Sequence, residues 1–190
     1  MNNKLLLDSL EKYYKENKKS ADILISIIKS NIDISLRSID WFITNYSKKF
    51  NIYYNIYKDK DNFTFDKTNN LVKNINVFQS YKSQLRAYSK KKFDPFCRRD
   101  RLTININDNL IETTVGQLNF FRWAINNMII DYIIINKDKI EEDMNKSLKN
   151  MKQVGTLYKK TGDRKKRQEL SLSATRGLSR TNMNIIITFD

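Results

Sequence analysis

Eight of the ten arginines, Arg86, Arg98, Arg99, Arg101, Arg164, Arg167, Arg176 and Arg180, fall in two short windows of the 190-residue chain. A guanidinium presents a planar fork of donors that matches two phosphate oxygens or a guanine edge, where an ammonium offers only a point charge. Lysines thicken both windows. The first, Lys82 to Arg101, adds Lys82, Lys90, Lys91 and Lys92 and holds eight Lys and Arg against two Asp. The second, Lys146 to Arg180, includes Lys159, Lys160, Lys165 and Lys166 and holds eleven against one Asp and one Glu. The windows thus carry +6 and +9, and because the whole chain is +14 the remainder sums to −1. Charge concentrated in this way makes a polyanion-binding surface. Asn, Ile and Lys abound throughout, as an A/T-rich genome would dictate, which discounts the number of lysines but not the placement of the arginines.

Other chemistry is excluded by what the chain lacks. Histidine is absent and Cys97 is alone, so no disulfide framework, zinc finger, Ser-His pair or Cys-His pair can be assembled within it. The densest acidic group, Glu141-Glu142-Asp143, occupies neighbouring helical positions that point in different directions, which reads as a solvated face. No catalytic residue, metal or cofactor is assigned, and the protein is expected not to be an enzyme, with a Mg²⁺-dependent nuclease as the weaker alternative. The longest apolar run, Met128 to Ile135, is interrupted by Asp131 and falls short of the ~20 residues of a membrane span. With no signal-peptide cleavage pattern at the N-terminus, an intracellular protein that is not secreted and has no membrane partner is expected.

These windows need elements to position them. Residues 1–190 read as a single domain in which 1–19 form a peripheral N-terminal helix and 155–182 a basic, flexible arm or loop. Ile25, Ile28, Ile32, Leu36, Ile39, Ile43 and Tyr46 recur at steps of three and four and predict one long amphipathic scaffold helix, with Trp41 and Phe42 in the core. Alternation over Phe50 to Tyr57 predicts a strand with Phe50, Ile52, Tyr54 and Ile56 inward; Lys58 to Asn70 reads as a loop and Leu71 to Phe78 as a second strand. A helix through Tyr81, Leu85 and Tyr88 then places Lys82, Arg86 and Lys90 on one ridge and ends at the only proline, Pro95. That corner is anchored by Phe93 and Phe96, and Asp94 and Asp100 either brace it by pairing with Arg98, Arg99 and Arg101 or leave those arginines open to anions.

Beyond the corner, Leu102 to Ile106 and Leu110 to Thr113 form a hairpin around Asn107-Asp108-Asn109. Thr114 to Gln117 is a capping box opening a mostly buried helix. Ile129 to Ile135 is helix or buried strand, with helix preferred. Asn136 caps a charged helix that Gly155 stops. Asn184 to Phe189 is a C-terminal strand, which would close the basic segment before it into a loop pinned at both ends. The fold class is α+β and helix-rich, with a small antiparallel sheet or hairpin.

Three blocks carry a resemblance: Tyr81 to Arg99 (YKSQLRAYSKKKFDPFCRR), Thr113 to Ala124 (TTVGQLNFFRWA) and Ser171 to Arg180. They resemble an uncharacterised protein family of giant, mimivirus-like nucleocytoplasmic large DNA viruses, over roughly residues 20–190. The resemblance implies a viral setting, in the virion or the cytoplasmic virus factory of the host, and supplies no activity or catalytic residues.

The expected function is a viral nucleic-acid-binding protein, for DNA or RNA, whose two basic patches contact the phosphate backbone with weak sequence specificity. No zinc finger, RNP motif or basic zipper is present, and a helix-turn-helix over Gln117 to Tyr132 would lack an exposed polar face. Tyr53, Tyr57, Tyr81 and Tyr88 could stack on unpaired bases, with core or rim positions as the competing assignment. The alternative is a structural or assembly protein of the virion whose bases pair with acidic virion proteins.

Overall fold

The computed structural model describes residues 3–60, 62–68, 70–98 and 100–159, the last nine by backbone alone. Its first helix, α1 (Asn3–Glu16), buries Leu6, Leu10 and Tyr14 completely. The Tyr14 hydroxyl donates to the Leu118 carbonyl at 2.8 Å, so this helix is core and not periphery. Next, α2 (Lys18–Ile28) buries Ala21, Leu24, Ile25 and Ile27.

The predicted long scaffold helix stops at Ile28. Ser30 adopts φ 57°, and Ser35 then caps α3 (Leu36–Trp41) by accepting from the Ser38 amide at 3.0 Å. A π-helical turn, Phe42–Tyr46, leads into α4 (Ser47–Lys49). The apolar period continues through the break, but Asn31, Asp33 and Ser35 are residues whose side chains compete for backbone partners and favour caps and turns. Ile34, off the stripe, is the residue buried there. Phe42 is fully buried and Trp41 lies partly buried against the core.

Strands β1 (Tyr53–Asp59), β2 (Asn62–Thr64) and β3 (Leu71–Asn76) form an antiparallel sheet in the order β2-β1-β3. Tyr54, Ile56 and Ile75 point into the core. Two details differ from the expectation. The strand starts at Tyr53, leaving Phe50 49% exposed, and β2 lies within the stretch read as loop. Helix α5 (Val77–Tyr88) follows β3 directly. The expected hairpin forms from β4 (Leu102–Ile106) and β5 (Asn109–Thr113), but Asn109 pairs with Ile106 as the first residue of β5, leaving Asn107 and Asp108, at φ 50° and 60°, as a two-residue turn. Positive φ at both positions is the signature of a type I′ turn, whose twist matches that of the strands.

Helix α6 (Val115–Asn126) is the centre of the molecule, with every residue from Gly116 to Phe121 buried. Thr114 caps it by accepting from the Gln117 amide at 3.1 Å. The reciprocal capping bond is replaced: the Gln117 carboxamide accepts from Thr113 Oγ1 and donates to the Pro95 carbonyl, both at 2.9 Å. Met128, left-handed at φ 51°, separates α6 from α7 (Ile129–Ile135), a helix as preferred. Asn136 closes α7 by donating to the Tyr132 carbonyl at 3.0 Å instead of capping α8 (Lys137–Lys159). Gly155 lies inside α8; a single helical glycine costs only about 1 kcal/mol.

The acidic group on α8 is not one solvated face. Glu142 is exposed beside Lys146, whereas Glu141 accepts from Ser38 and Asp143 from Trp41 Nε1 and Lys49, tying α8 to the α3–α4 segment. The fold is α+β and helix-rich. One compact unit covers residues 1–147 and a second begins at Leu148. The predicted strand over 184–189, and most of the 155–182 arm, lie outside the described residues.

Candidate nucleic-acid interface

Helix α5 explains how the first window is displayed. Asn76 caps it, accepting from the Gln79 amide at 3.1 Å, and Val77 and Tyr81 are buried while Leu85 and Tyr88 pack partly against the core. Those positions step by four, four and three, so Lys82 and Arg86, one turn apart, face solvent. Phe78 lies half-buried in the first turn, with the Lys82 ammonium 5.5 Å and the Lys48 ammonium 5.7 Å from its ring centre. Lys48, brought from α4, belongs to neither sequence window. Its distance along the chain concealed it.

The ridge does not continue helically to Lys90. α5 ends at Tyr88, seven residues before Pro95, because Ser89 takes φ 59° and ψ 165°, a region that only glycine adopts without strain. Lys90, Lys91 and Lys92 follow on a turn clamped from beneath. Asn119 Nδ2 donates to the Lys92 carbonyl at 2.9 Å, and the Asp94 amide donates to the Gly116 carbonyl at 3.3 Å. Gly116 lets the turn sit this close, since a Cβ on it would lie 3.2 Å from the Lys91 carbonyl oxygen and would push the turn outward by a few tenths of an ångström. Phe93, 1% exposed, anchors the turn among Tyr81, Phe120 and Trp123. The backbone is held while Lys90 and Lys91 stay exposed.

At the Pro95 corner the bracing reading is realised in part. Arg98 stacks 4.0 Å from the centre of the Phe96 ring and approaches Asp94 at 3.8 Å. Arg101 is engaged by Glu112 across the hairpin at 2.6 Å, not by Asp100. These are exposed pairs, worth little in water, so an incoming phosphate can compete for either arginine. Asp40, on α3, sits in the field of Asp94, Arg98 and Lys90. Burial pushes its carboxyl above the ordinary carboxylate range; Asp94 adds to the rise, and Arg98 and Lys90 oppose it.

Of the sixteen cations singled out in the sequence, Lys82, Arg86, Lys90, Lys91, Lys92, Arg98 and Arg101 therefore lie on α5 and the turn and corner that follow it. Among the described residues, Lys82, Arg86, Lys90 and Lys91 form no salt bridge or hydrogen bond with a side chain. Lys159 lies in α8, described by backbone alone. Arg99, Lys160, Arg164, Lys165, Lys166, Arg167, Arg176 and Arg180 lie outside the described residues. The helix-turn-helix reading of Gln117 to Tyr132 lacks a recognition face, since α6 is buried from Gly116 to Phe121. Tyr81 is core and Tyr88 is half-buried beside Phe93. Tyr57 is 8% exposed, but Tyr53 is 68% exposed.

A cleft of about 860 Å³ opens between the α1–α2 elbow, the sheet and the end of α6. Of its four lysines, Lys15 is engaged by Glu11, Lys19 by Asn62 and Lys73 by Asn127. Among the described residues no group of three His, Cys, Asp or Glu side chains is placed to hold a metal ion, and no helix is long and apolar enough to cross a membrane.

No solved structure matches the chain. It is 42% identical over 154 residues to a mimivirus protein of Acanthamoeba polyphaga, named uncharacterized protein L507. The match takes in 78% of this chain and 56% of that relative, so the chain spans little more than half the relative's length. The viral resemblance carried by Tyr81 to Arg99 and Thr113 to Ala124 is thereby established. A family model matches residues 1–188, and the chain belongs to that family, a family of unknown function (DUF7197).

Proposed function

We propose that this viral protein binds nucleic acid through its phosphate backbone, with weak sequence specificity and no reaction of its own. The observation that supports this best is the set of cations on and around α5 that have no salt-bridge partner among the described residues: Lys48, Lys82, Arg86, Lys90 and Lys91. A folded protein has little reason to hold five like charges together unless a polyanion neutralises them, since like charges repel across the Debye length of about 10 Å at 0.1 M salt. Asp40 lies in the field of Lys90 and tempers that end of the set. Base reading is not part of the proposal, because the sequence carries no recognised base-reading motif.

Titration of a labelled oligonucleotide across a series of salt concentrations tests the reading. Five neutralised phosphates give a slope of log K against log[salt] of about −4.5 on duplex DNA, or about −3.5 on a single strand, and steeper if the second window contributes. A flat line overturns the proposal. So does a protein that ignores oligonucleotides and copurifies with acidic virion proteins, the outcome expected of an assembly factor.

A further inference from the structure

We infer that the nucleic acid taken by this surface is single-stranded, its phosphates following Lys48, Lys82 and Arg86 and its bases stacking on Phe78 and Tyr53. The inference rests on the backbone-binding reading above and adds what that reading leaves open. It comes from what adjoins the cations. Asn76, two residues before Phe78, donates to the Asn51 carboxamide at 3.1 Å, and Asn51 lies three residues after Lys48. Directly opposite Asn76 in the β1–β3 ladder stands Tyr53, and residues paired in this way project from the same face of a sheet. The same face continues through Asn74, which donates to Asn55 at 2.6 Å, and Asn55, which donates to the Tyr57 hydroxyl at 3.1 Å. A strip of cations, Phe78, neutral amides and an open tyrosine ring therefore runs from α5 onto the outer face of the sheet. No carboxylate interrupts that face between Asn51 and Tyr57.

A duplex could use only part of this strip. Its bases are stacked on one another and offer no free π-face to a tyrosine ring, so Tyr53 would find no stacking partner on it. Unpaired bases change the match. Each has a π-face to lay on an aromatic ring and polar edges that carboxamides can meet, while the cations follow the backbone between them. Tyr53 is exposed at 68% and takes no part in the core, and half-buried Phe78 has the Lys48 and Lys82 ammonium groups over its ring at 5.7 and 5.5 Å. Stacking by a base on Phe78 would release Lys48 and Lys82 to the neighbouring phosphates.

The full-length protein should be titrated with a 20-nucleotide single strand, as DNA and as RNA, and with the duplex of the same sequence. Single strands should bind at least tenfold more tightly than duplex at equal salt. Tyr53→Ala should weaken single-strand binding roughly tenfold, with duplex binding unmoved, and Tyr53→Phe should restore it because the ring is what stacks. Phe78→Leu, which keeps the buried apolar bulk, should act in the same direction. Duplex binding as tight as single-strand binding, or a Tyr53→Ala variant that behaves like the parent on both, overturns the inference while leaving backbone binding intact. Failure of every oligonucleotide to bind overturns the underlying reading as well. The DNA and RNA arms report which single strand is preferred.

Discussion

Ser89 carries the clearest local strain near the proposed surface. At φ 59° and ψ 165° its Cβ crowds the backbone, at a cost on the order of 1–3 kcal/mol that glycine avoids. Ser89→Gly gives back part of that gain, because glycine enlarges the unfolded ensemble, so the net expectation is stabilisation of about 1 kcal/mol. Chemical denaturation should show it as a raised midpoint with unchanged slope. Asp40 yields a second residue-scale prediction. Burial raises its carboxyl pKa above 3.8 in the folded protein, so the folded state favours the protonated form. The stability this contributes is full below the unfolded pKa of about 3.9 and is lost as pH rises through the higher folded value. Asp40→Asn, neutral at every pH, should melt higher than the parent at pH 7 and like it near pH 3. It also removes an anion from beside Lys90 and Arg98, so it should tighten oligonucleotide binding; unchanged affinity would place those two cations outside the contact surface.

Two-residue turns and helix caps decide much at the next scale. Asn107-Asp108 already has both residues in the left-handed region a type I′ turn demands, and glycine at the second position is the commonest solution to that demand. Asp108→Gly should therefore stabilise the β4–β5 hairpin by about 0.5 kcal/mol, read as a higher melting temperature. This hairpin was legible in the sequence because alternation of apolar residues and a polar Asn-Asp turn point to one answer. α6 was legible for the same reason, with pattern and cap in agreement, whereas α7, an apolar run opened by Met128 without a side-chain cap, left helix and buried strand both open. The break between α2 and α3 was not. Ile28, Ile32 and Leu36 keep helical spacing across it, and no Gly or Pro marks it; the signal lay in Ser35, which reads as an N-cap only once the intervening turn is allowed. Ser35→Ala should cost about 1 kcal/mol by orphaning the Ser38 amide. Glu141 and Asp143 misled in another way, because a charged triplet looks solvated until α3 and α4 supply Ser38, Trp41 and Lys49 as partners.

At the scale of the molecule the surface was only half visible. Charge counting found Lys82, Arg86, Lys90 and Lys91 because they are close in sequence, but Lys48 and Tyr53 reach the same strip through the α4–α5 contact and the β1–β3 ladder, which no local pattern encodes. The same counting assigns more charge to the second window than to the first, and the two contributions can be separated in the intact chain. Lys82→Gln with Arg86→Gln removes two contacts from the first and should flatten the log K against log[salt] slope by about 2 without changing the melting temperature, both side chains being exposed. Changing Arg164, Lys165, Lys166 and Arg167 to Gln removes four from the second, and its slope change counts how many of the four meet phosphate. Combining all six substitutions distinguishes one binding surface from two. If a single oligonucleotide engages both windows, the losses in log K add, as independent contacts to one ligand must. If each window binds its own oligonucleotide, the sixfold variant should instead lose two separable binding events, and the stoichiometry of the parent should be two strands per chain. A parent stoichiometry of one with additive losses means that one strand engages both windows, and calorimetric titration at low salt measures both.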